Sequence, residues 1–292
     1  MVHQAVSLTQ AQREKTLAFL QMLRGGTTPP ASPAGIATEI LAVFARSCVH
    51  LLAHDNQAAH SVVAEAESVY LPILEHPEPA SLNLDPAIIA AHYALLTAAG
   101  LHAASMDKVV RLMAQALNDQ PEASRQQARM RLTLATLRTA GIDVQMTPAP
   151  YSVTRLLRQP VELIALNSNE IQQLLDHVVA DQISLDAEAA EILSLIALSE
   201  LRNYRIDLGA RILRLVFSQG FDNSYAEEAL RFVALQRRRD GGYGFLDPFR
   251  ENSDAQASPM LTFHLPITLN SVWLFSCYQQ LSVRTAPAKL VM

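Results

Sequence analysis

The sequence has few cysteines and few charged residues, and each shortage excludes a class of protein. Two cysteines in 292 residues exclude a disulfide framework and a cysteine-rich zinc module. Charged residues make up 17% of the chain and hydrophobic residues 50%, whereas disordered chains are poor in hydrophobic residues and rich in charge. The formal net charge of −5 disfavours a nucleic-acid partner, because binding the phosphate backbone requires a basic surface. We therefore expect a globular protein with no nucleic-acid partner.

Targeting and membrane signals are also missing from the pattern. The N-terminus has no basic segment followed by an apolar run, so no secretory signal is predicted and a cytoplasmic location is expected. The strongest candidate for a membrane span is residues 87–106, which contain no Asp, Glu, Lys or Arg. This stretch is interrupted by His92, Gly100 and His102, whereas a span needs about 20 predominantly apolar residues. It is predicted to be a buried helix, and no membrane partner is expected.

Helical periodicity fills nearly every segment between proline- or glycine-rich breaks, and no clear alternating strand pattern occurs. The fold class is therefore predicted as all-α, with about twelve helices. N-terminal caps are predicted at Asp85, Asn167, Asp186 and Ser224. Residues 1–292 are predicted to form a single helical domain. Residues 141–151, which include two prolines, are a possible seam between an N-terminal and a C-terminal half.

The distribution of charge suggests how the helices are arranged. Residues 87–106 and 255–283 carry no Asp, Glu, Lys or Arg, and a helix without charge on any face is predicted to be buried all round. Neighbouring segments are charged; residues 207–219, for example, contain Arg211 and Arg214 and are predicted to be only half-buried. Arg129 is predicted on a solvated outer face. Alternating buried and half-buried helices are typical of inner helices wrapped by outer ones.

One segment carries a recognisable pattern. Residues 229–245 read ALRFVALQRRRDGGYGF, and this segment resembles the repeat ending of the terpenoid-cyclase and protein-prenyltransferase superfamily. The match is closest to an uncharacterised bacterial helical family that is often encoded beside biosynthetic genes. The resemblance implies an (α/α) toroid or partial toroid of paired inner and outer helices, with Trp273 on the next inner helix. The superfamily's acid, aspartate-rich diphosphate and zinc motifs do not occur, so the resemblance implies fold rather than activity.

The same segment predicts a structural turn. Glycine adopts backbone conformations that are closed to other residues, so the chain can reverse sharply after the outer helix. An aspartate in such a turn can accept hydrogen bonds from exposed backbone N–H groups, and the aromatic residue can pack back over it. The predicted turn residues are Asp240, Gly241, Gly242 and Gly244.

Candidate ligand-binding residues come from the charge-free helices. His92, Tyr93 and Trp273 are candidates for lining a central cavity. The alternative for His92 is a core histidine satisfied by a hydrogen bond. His50 and His54 have the i,i+4 spacing of a metal-ligand pair, but no third ligand is identifiable. Neither a metal nor a cofactor is therefore predicted.

Three functions remain open at this stage. The first is an accessory protein that holds a hydrophobic small molecule, or a peptide or protein partner of the same biosynthetic pathway, in the toroid cavity. The second is an unconventional cyclase or lyase, whose candidate catalytic residues are His264, Asp247, Glu251 and Tyr243. In that reading His264 near carboxylates at the mouth of the toroid acts as a general base. The third is a helical scaffold for protein–protein interaction.

Overall fold

A computed structural model describes residues 9–22, 33–52, 56–76, 82, 84–146, 153–244 and 257–285. Within these ranges the chain is all-helical, with no strand and fourteen helices. In chain order they are α1 (Gln10–Met22), α2 (Pro33–Leu52), α3 (Asn56–Glu75), α4 (Pro86–Ala98), α5 (Ala104–Asn118), α6 (Glu122–Arg125), α7 (Ala128–Thr139), α8 (Val153–Leu157), α9 (Pro160–Ile164), α10 (Ser168–Ala180), α11 (Ala187–Arg202), α12 (Ile206–Ser218), α13 (Ser224–Leu235) and α14 (Ala257–Thr285).

Three of the four predicted helix caps are confirmed. The Asp85 carboxylate accepts a backbone N–H of α4 at 2.9 Å, and Asp186 accepts one of α11 at 2.8 Å. Asn167 opens α10 with a complete capping box. The prediction was wrong by one residue at α13, where Asn223 is the cap and Ser224 is the first helical residue. Asn and Ser cap almost equally well, so the sequence pattern could not separate these two neighbours.

The largest boundary error concerns the last helix. The sequence predicts a loop through residue 263 and a helix that starts around Pro266. The structure begins α14 at Ala257 and places Pro266 inside it. Proline removes one backbone donor from a helix interior, so its usual place at a helix start misled the prediction. The short helices α8 and α9 were not predicted.

Six helices contact one another in a closed sequence. α2 packs against α14, α14 against α12, α12 against α10, α10 against α7, α7 against α4, and α4 against α2. We call these helices the six-helix set. The remaining long helices pack against its members: α1 and α3 against α2, α5 against α4, and α11 and α13 against α12.

The two charge-free stretches are buried over most of their helical length. No residue of α4 before Ala98 is exposed, and none of the described side chains of α14 is exposed. The prediction fails around the turn between α4 and α5, where residues 98–100, 102 and 104 are exposed. Gly100 adopts a positive φ of 71° there, so this segment is a surface turn built from small uncharged residues. Among the described residues, no helix combines the length and hydropathy needed to cross a membrane.

The charge content of α12 led to a wrong prediction of its burial. α12 was expected to be half-buried because of its arginines, yet Ser218 is its only exposed residue. α11 is the helix with the exposed face, including Leu195 at 41% exposure. The reason is that Arg211 and Arg214 find partners inside the protein, as described below. A charged residue therefore does not mark an outer helix here.

The hydrophobic core falls into two clusters. One contains residues between Ile36 and Met146, and the other contains residues from α1, part of α2 and the chain from Val153 to Leu281. Helix α2 contributes one face to each cluster. The seam at residues 141–151 stays a prediction, and residues 147–152 lie outside the described residues.

Candidate functional site

The predicted turn after α13 forms a short hairpin. Arg238 N–H donates to the Gly242 carbonyl at 2.8 Å, and Gly244 N–H donates to the Gln236 carbonyl at 3.1 Å. The Asp240 carboxylate accepts the Gly242 N–H at 3.0 Å and the Arg238 guanidinium at 2.8 Å. The aspartate therefore closes the turn from inside.

The turn also joins the first and last described helices. Thr16 of α1 donates its hydroxyl to the Gly241 carbonyl at 2.8 Å, and Thr268 of α14 accepts the Tyr243 N–H at 2.9 Å. Gly241 has a positive φ of 97°, and a Cβ there would overlap the backbone of Lys15. Only glycine combines this conformation with so close an approach. The turn is thus a structural connection between α1, α13 and α14.

His264 and Tyr243 meet at this turn, but as buried residues. Each is 1% exposed, and the His264 ring lies directly against Gly244. Burial lowers the pKa of His264, and Arg238 lowers it further while Asp240 opposes the shift. Asp247 and Glu251, the proposed carboxylate partners, lie outside the described residues. The structure therefore brings together two of the four candidate catalytic residues, away from solvent.

His92 occupies a second buried position, between α2, α3 and α4. Ser47 Oγ lies 3.0 Å from its Nε2, and Tyr70 OH lies 3.2 Å from its Nδ1. Phe44 stacks on the imidazole with ring centroids 5.1 Å apart. Burial lowers the pKa of His92 to about 3, so the ring is neutral at physiological pH.

The hydrogen bonds assign the tautomer of His92. The Ser47 hydroxyl donates to the Val43 carbonyl at 2.9 Å, so its proton is already committed. Ser47 Oγ must therefore accept from His92, which places the proton on Nε2, and Nδ1 accepts from the Tyr70 hydroxyl. Both ring nitrogens are engaged within the protein. The structure supports the alternative of a satisfied core histidine over a cavity-lining one.

Tyr93 faces another direction from His92. It is 7% exposed and belongs to the core cluster that includes α5. Burial raises its pKa, and nearby Asp107 of α5 raises it further. Tyr93 is thus buried beside Asp107 of α5, and its place in the lining of a central cavity stays a prediction.

Trp273 forms the centre of a third arrangement. The Arg214 guanidinium carbon lies 3.5 Å from the centroid of the indole ring. Phe44 meets the indole edge-on, with centroids 5.0 Å apart. Trp273 thus lies between α2 and α12, and it is the single tryptophan of the chain. A cation placed over an aromatic face is a favourable electrostatic contact.

Arg214 is a half-buried cation with few partners in the protein. Its one direct hydrogen bond in the described part of the chain is a long contact of 3.4 Å to Asn270 Oδ1. No carboxylate within those ranges forms an ion pair with it. Burial lowers its pKa to about 10, so the guanidinium still carries its charge at neutral pH. Its other N–H donors have no hydrogen-bond acceptor among the described residues.

Two further arginines approach Arg214. Arg211 binds Asp176 Oδ1 at 2.6 Å, and Arg129 binds Asp85 at 2.5 Å and reaches Asp176 at 4.0 Å. Both arginines are close enough to lower the pKa of Arg214. We call these five residues the arginine cluster. It holds three guanidiniums against two carboxylates and so carries an excess of one positive charge.

The two cysteines border the cluster without adding charge. Burial raises the pKa of Cys48 and of Cys277, and nearby Arg214 only partly offsets this. Both thiols are therefore neutral at physiological pH. Neutral thiols are poor nucleophiles, and they leave the positive charge of the arginine cluster uncompensated.

Partly exposed residues follow one face of two helices. On α14 they include Asn270, Trp273 and Cys277, and on α4 they include Ile88 and Leu95. These residues recur at helical spacing between fully buried neighbours. The aromatic and aliphatic members pack against the same core cluster. The six-helix set therefore presents an apolar stripe from α4 and a mixed polar and aromatic stripe from α14.

Sequence reasoning missed the arginine cluster because it assigned Arg211 and Arg214 to the exposed side of a half-buried helix. Arg129 is exposed, as predicted, but it also reaches Asp176 at 4.0 Å. A signal was present in α12. Asp207, Arg211 and Arg214 are its only ionisable residues and recur at i, i+4 and i+7 between apolar residues. So narrow a polar stripe indicates charges that face a confined space rather than bulk solvent.

Other openings and clusters are less developed. A cleft of about 440 Å³ lies at the C-terminal ends of α10 and α12, lined by residues that include Val178, Gln182 and Leu215. No charged side chain lines it. Within the described ranges, no group of three or more His, Cys, Asp or Glu residues is placed to hold a metal ion. His54 lies outside those ranges.

Comparison of the chain with protein-family models, with curated proteins and with solved structures gives no match in any of the three.

Proposed function

We propose that the protein binds a hydrophobic small molecule in a space enclosed by the six-helix set, and that these helices form the inner layer of an (α/α) toroid. The closed sequence of contacts supports the ring. The order along the chain supports it too, because members of the six-helix set alternate with α1, α3, α5, α8 and α9, α11, and α13. This alternation is what paired inner and outer helices require.

The proposed toroid is irregular between α7 and α10. Arg131, in the first turn of α7, forms an ion pair with Asp181, the C-terminal cap of α10. The beginning of α7 therefore lies beside the end of α10, and these neighbours run in opposite directions. Arg129 and Asp176 meet across the same junction, which is how an arginine of α7 reaches the arginine cluster.

The observation that carries the proposal is the Arg214–Trp273 stack. Arg214 is half-buried and has no carboxylate partner among the described residues, so an anionic group that reaches it would form a charge-assisted hydrogen bond. A partly exposed indole beside a cation and an apolar stripe is a suitable surface for a small organic ligand. The engaged nitrogens of His92 and the neutral thiols favour binding over the alternative cyclase or lyase activity. A role in a biosynthetic pathway is implied only by the sequence resemblance.

Fluorescence can test the proposed site, because the single tryptophan lies in it. We expect the neutral apolar fluorophore N-phenyl-1-naphthylamine to bind with one-to-one stoichiometry and to quench Trp273 emission by energy transfer. Ala91→Phe, which enlarges a partly exposed residue of α4, should weaken this binding at least tenfold. Ala98→Phe, the same change at an exposed position of α4, is the matched control.

The outcome is decisive if both variants melt cooperatively by circular dichroism. Binding that leaves Trp273 emission unchanged, or equal affinity in the two variants, would contradict the proposed location.

A further inference from the structure

We infer that the ligand carries one negative charge, as an apolar carboxylic acid does, and that its carboxylate binds Arg214 while its apolar part lies against Trp273 and α4. This inference rests on the proposed function and adds the chemical class of the ligand.

The first step concerns the donors of Arg214. A guanidinium presents its N–H groups in a planar fork that matches the two oxygens of a carboxylate. In Arg214 this fork has only the long contact to Asn270 Oδ1 within the described residues. The guanidinium carbon lies 3.5 Å from the centroid of the Trp273 ring, a contact that engages the indole face and not the N–H donors. A ligand carboxylate would supply that acceptor.

The second step concerns the number of charges. Asp176 is already bound at 2.6 Å by Arg211, and Asp85 is bound at 2.5 Å by Arg129. Arg214 is the cation left over, and the nearby thiols and His92 are neutral. One negative charge therefore completes the cluster. A phosphate or diphosphate would bring two or more negative charges and would leave part of that charge uncompensated beside Asp176.

The third step concerns the apolar part. Trp273 and Phe44 form an aromatic surface next to Arg214, and Ile88 and Leu95 add an aliphatic stripe on α4. A ligand with its charge on Arg214 has apolar surface on the neighbouring helices. An amphipathic organic acid fits this division, whereas a fully polar anion does not.

The experiment titrates the full chain with dodecanoate, 1-dodecanol and dodecyl phosphate, following Trp273 emission. These probes share one apolar chain and differ in the head group. We expect dodecanoate to bind roughly ten- to hundredfold more tightly than 1-dodecanol, the range for a charge-assisted hydrogen-bonded pair. Dodecyl phosphate should bind more weakly than dodecanoate near neutral pH, where it carries close to two charges.

Variants locate the head group. Arg214→Gln should remove the preference for dodecanoate over the alcohol, and Arg214→Lys should restore part of it. Arg129→Gln alters a half-exposed member of the cluster and should reduce the preference for dodecanoate several-fold. This variant tests the inference if the Arg214 variants fail to fold. Arg202→Gln removes an exposed arginine that pairs with Glu228 and should leave binding unchanged.

Each outcome separates this inference from the function on which it rests. Equal binding of dodecanoate and 1-dodecanol, or a preference that survives Arg214→Gln, overturns the carboxylate inference and leaves hydrophobic binding intact. Tightest binding of dodecyl phosphate overturns the single-charge argument. Failure of all three probes and of N-phenyl-1-naphthylamine to change Trp273 emission overturns the proposed function itself.

Discussion

His92 and Arg214 lie on two sides of the same phenylalanine, but they differ in the hydrogen-bond partners that the protein supplies. Phe44 stacks on the imidazole of His92 and meets Trp273, the partner of Arg214, at its edge. Both nitrogens of His92 have protein partners, whereas Arg214 has one long hydrogen bond and no carboxylate in the described core. A buried polar group that the protein satisfies contributes to its structure. A half-buried cation that lacks a carboxylate partner among the described residues is available to a ligand.

The largest effect on stability is expected from the substitution His92→Leu. The substitution removes the acceptor of the Tyr70 hydroxyl and the donor to Ser47, and it leaves a buried hydroxyl unpaired. We expect the free energy of unfolding to fall by about 3 kcal/mol, measured by urea denaturation at neutral pH. A loss below about 1 kcal/mol would show that the His92 network is dispensable.

Lowering the pH should reduce the stabilisation contributed by His92 but not affect the charge of Arg214. The pKa of His92 is about 3 in the folded protein, below the value of about 6.5 for an unfolded histidine. The unfolded chain therefore binds the proton first, so the stabilisation from neutral His92 is complete above pH 6.5 and is lost progressively toward pH 3. Arg214 stays charged throughout this range and adds no such dependence.

The measurement is the difference in unfolding free energy between the wild type and His92→Gln as a function of pH. We expect this difference to shrink by roughly 1.4 kcal/mol for each pH unit below about 6. Taking the difference cancels the contributions of His177 and His264, whose pKa values are also lowered by burial. A difference that does not vary with pH would contradict a neutral buried His92.

A smaller effect is expected from Asp176→Asn on the Arg214 side. The change keeps an oxygen acceptor for Arg211 but removes a negative charge, so we expect a loss of about 2 kcal/mol in unfolding free energy. The cluster would then have two uncompensated positive charges. Its preference should shift from dodecanoate toward dodecyl phosphate in the Trp273 titration, and an unchanged preference would argue against charge counting in this cluster.

The smallest stability effect is expected from Arg214→Met. An apolar side chain of similar length replaces a charge that has no carboxylate partner, and such replacements are often neutral or stabilising. We expect the unfolding free energy to change by less than about 1 kcal/mol while the dodecanoate preference disappears. A large loss of stability would show that Arg214, like His92, is needed for the structure.

His92 and Arg214 also show how much of the structure could be predicted from the sequence. The all-helical fold, the burial of α4 and α14 and three caps depend on local patterns, and these could be predicted. His92 could be narrowed to two alternatives because it lies on a charge-free helix. The arginine cluster could not be predicted from local patterns, since the partner of Arg211 is Asp176, which lies 35 residues away. Local charge counting cannot distinguish an arginine paired across the core from one in solvent.

The same limit applies to the turn after α13. Its glycines and aspartate could be predicted from the motif, but its contact with Thr16 could not, because 225 residues separate Thr16 from Gly241. The exposed positions of α8 and α9 gave no strong periodic signal, so these helices were missed. Long-range pairing, rather than helix formation, is the part of this fold that the sequence conceals.

The contact between Thr16 and Gly241 has a consequence for synthesis. On the ribosome, α1 and α2 emerge long before the turn and α14 that cover them. Until then the face of α2 that carries Phe44 remains open to water and to other nascent chains. A chain that stops before α14 would keep that face exposed permanently, so quality control should recognise such fragments by α2. The last helix to be made is thus the one that protects one of the first.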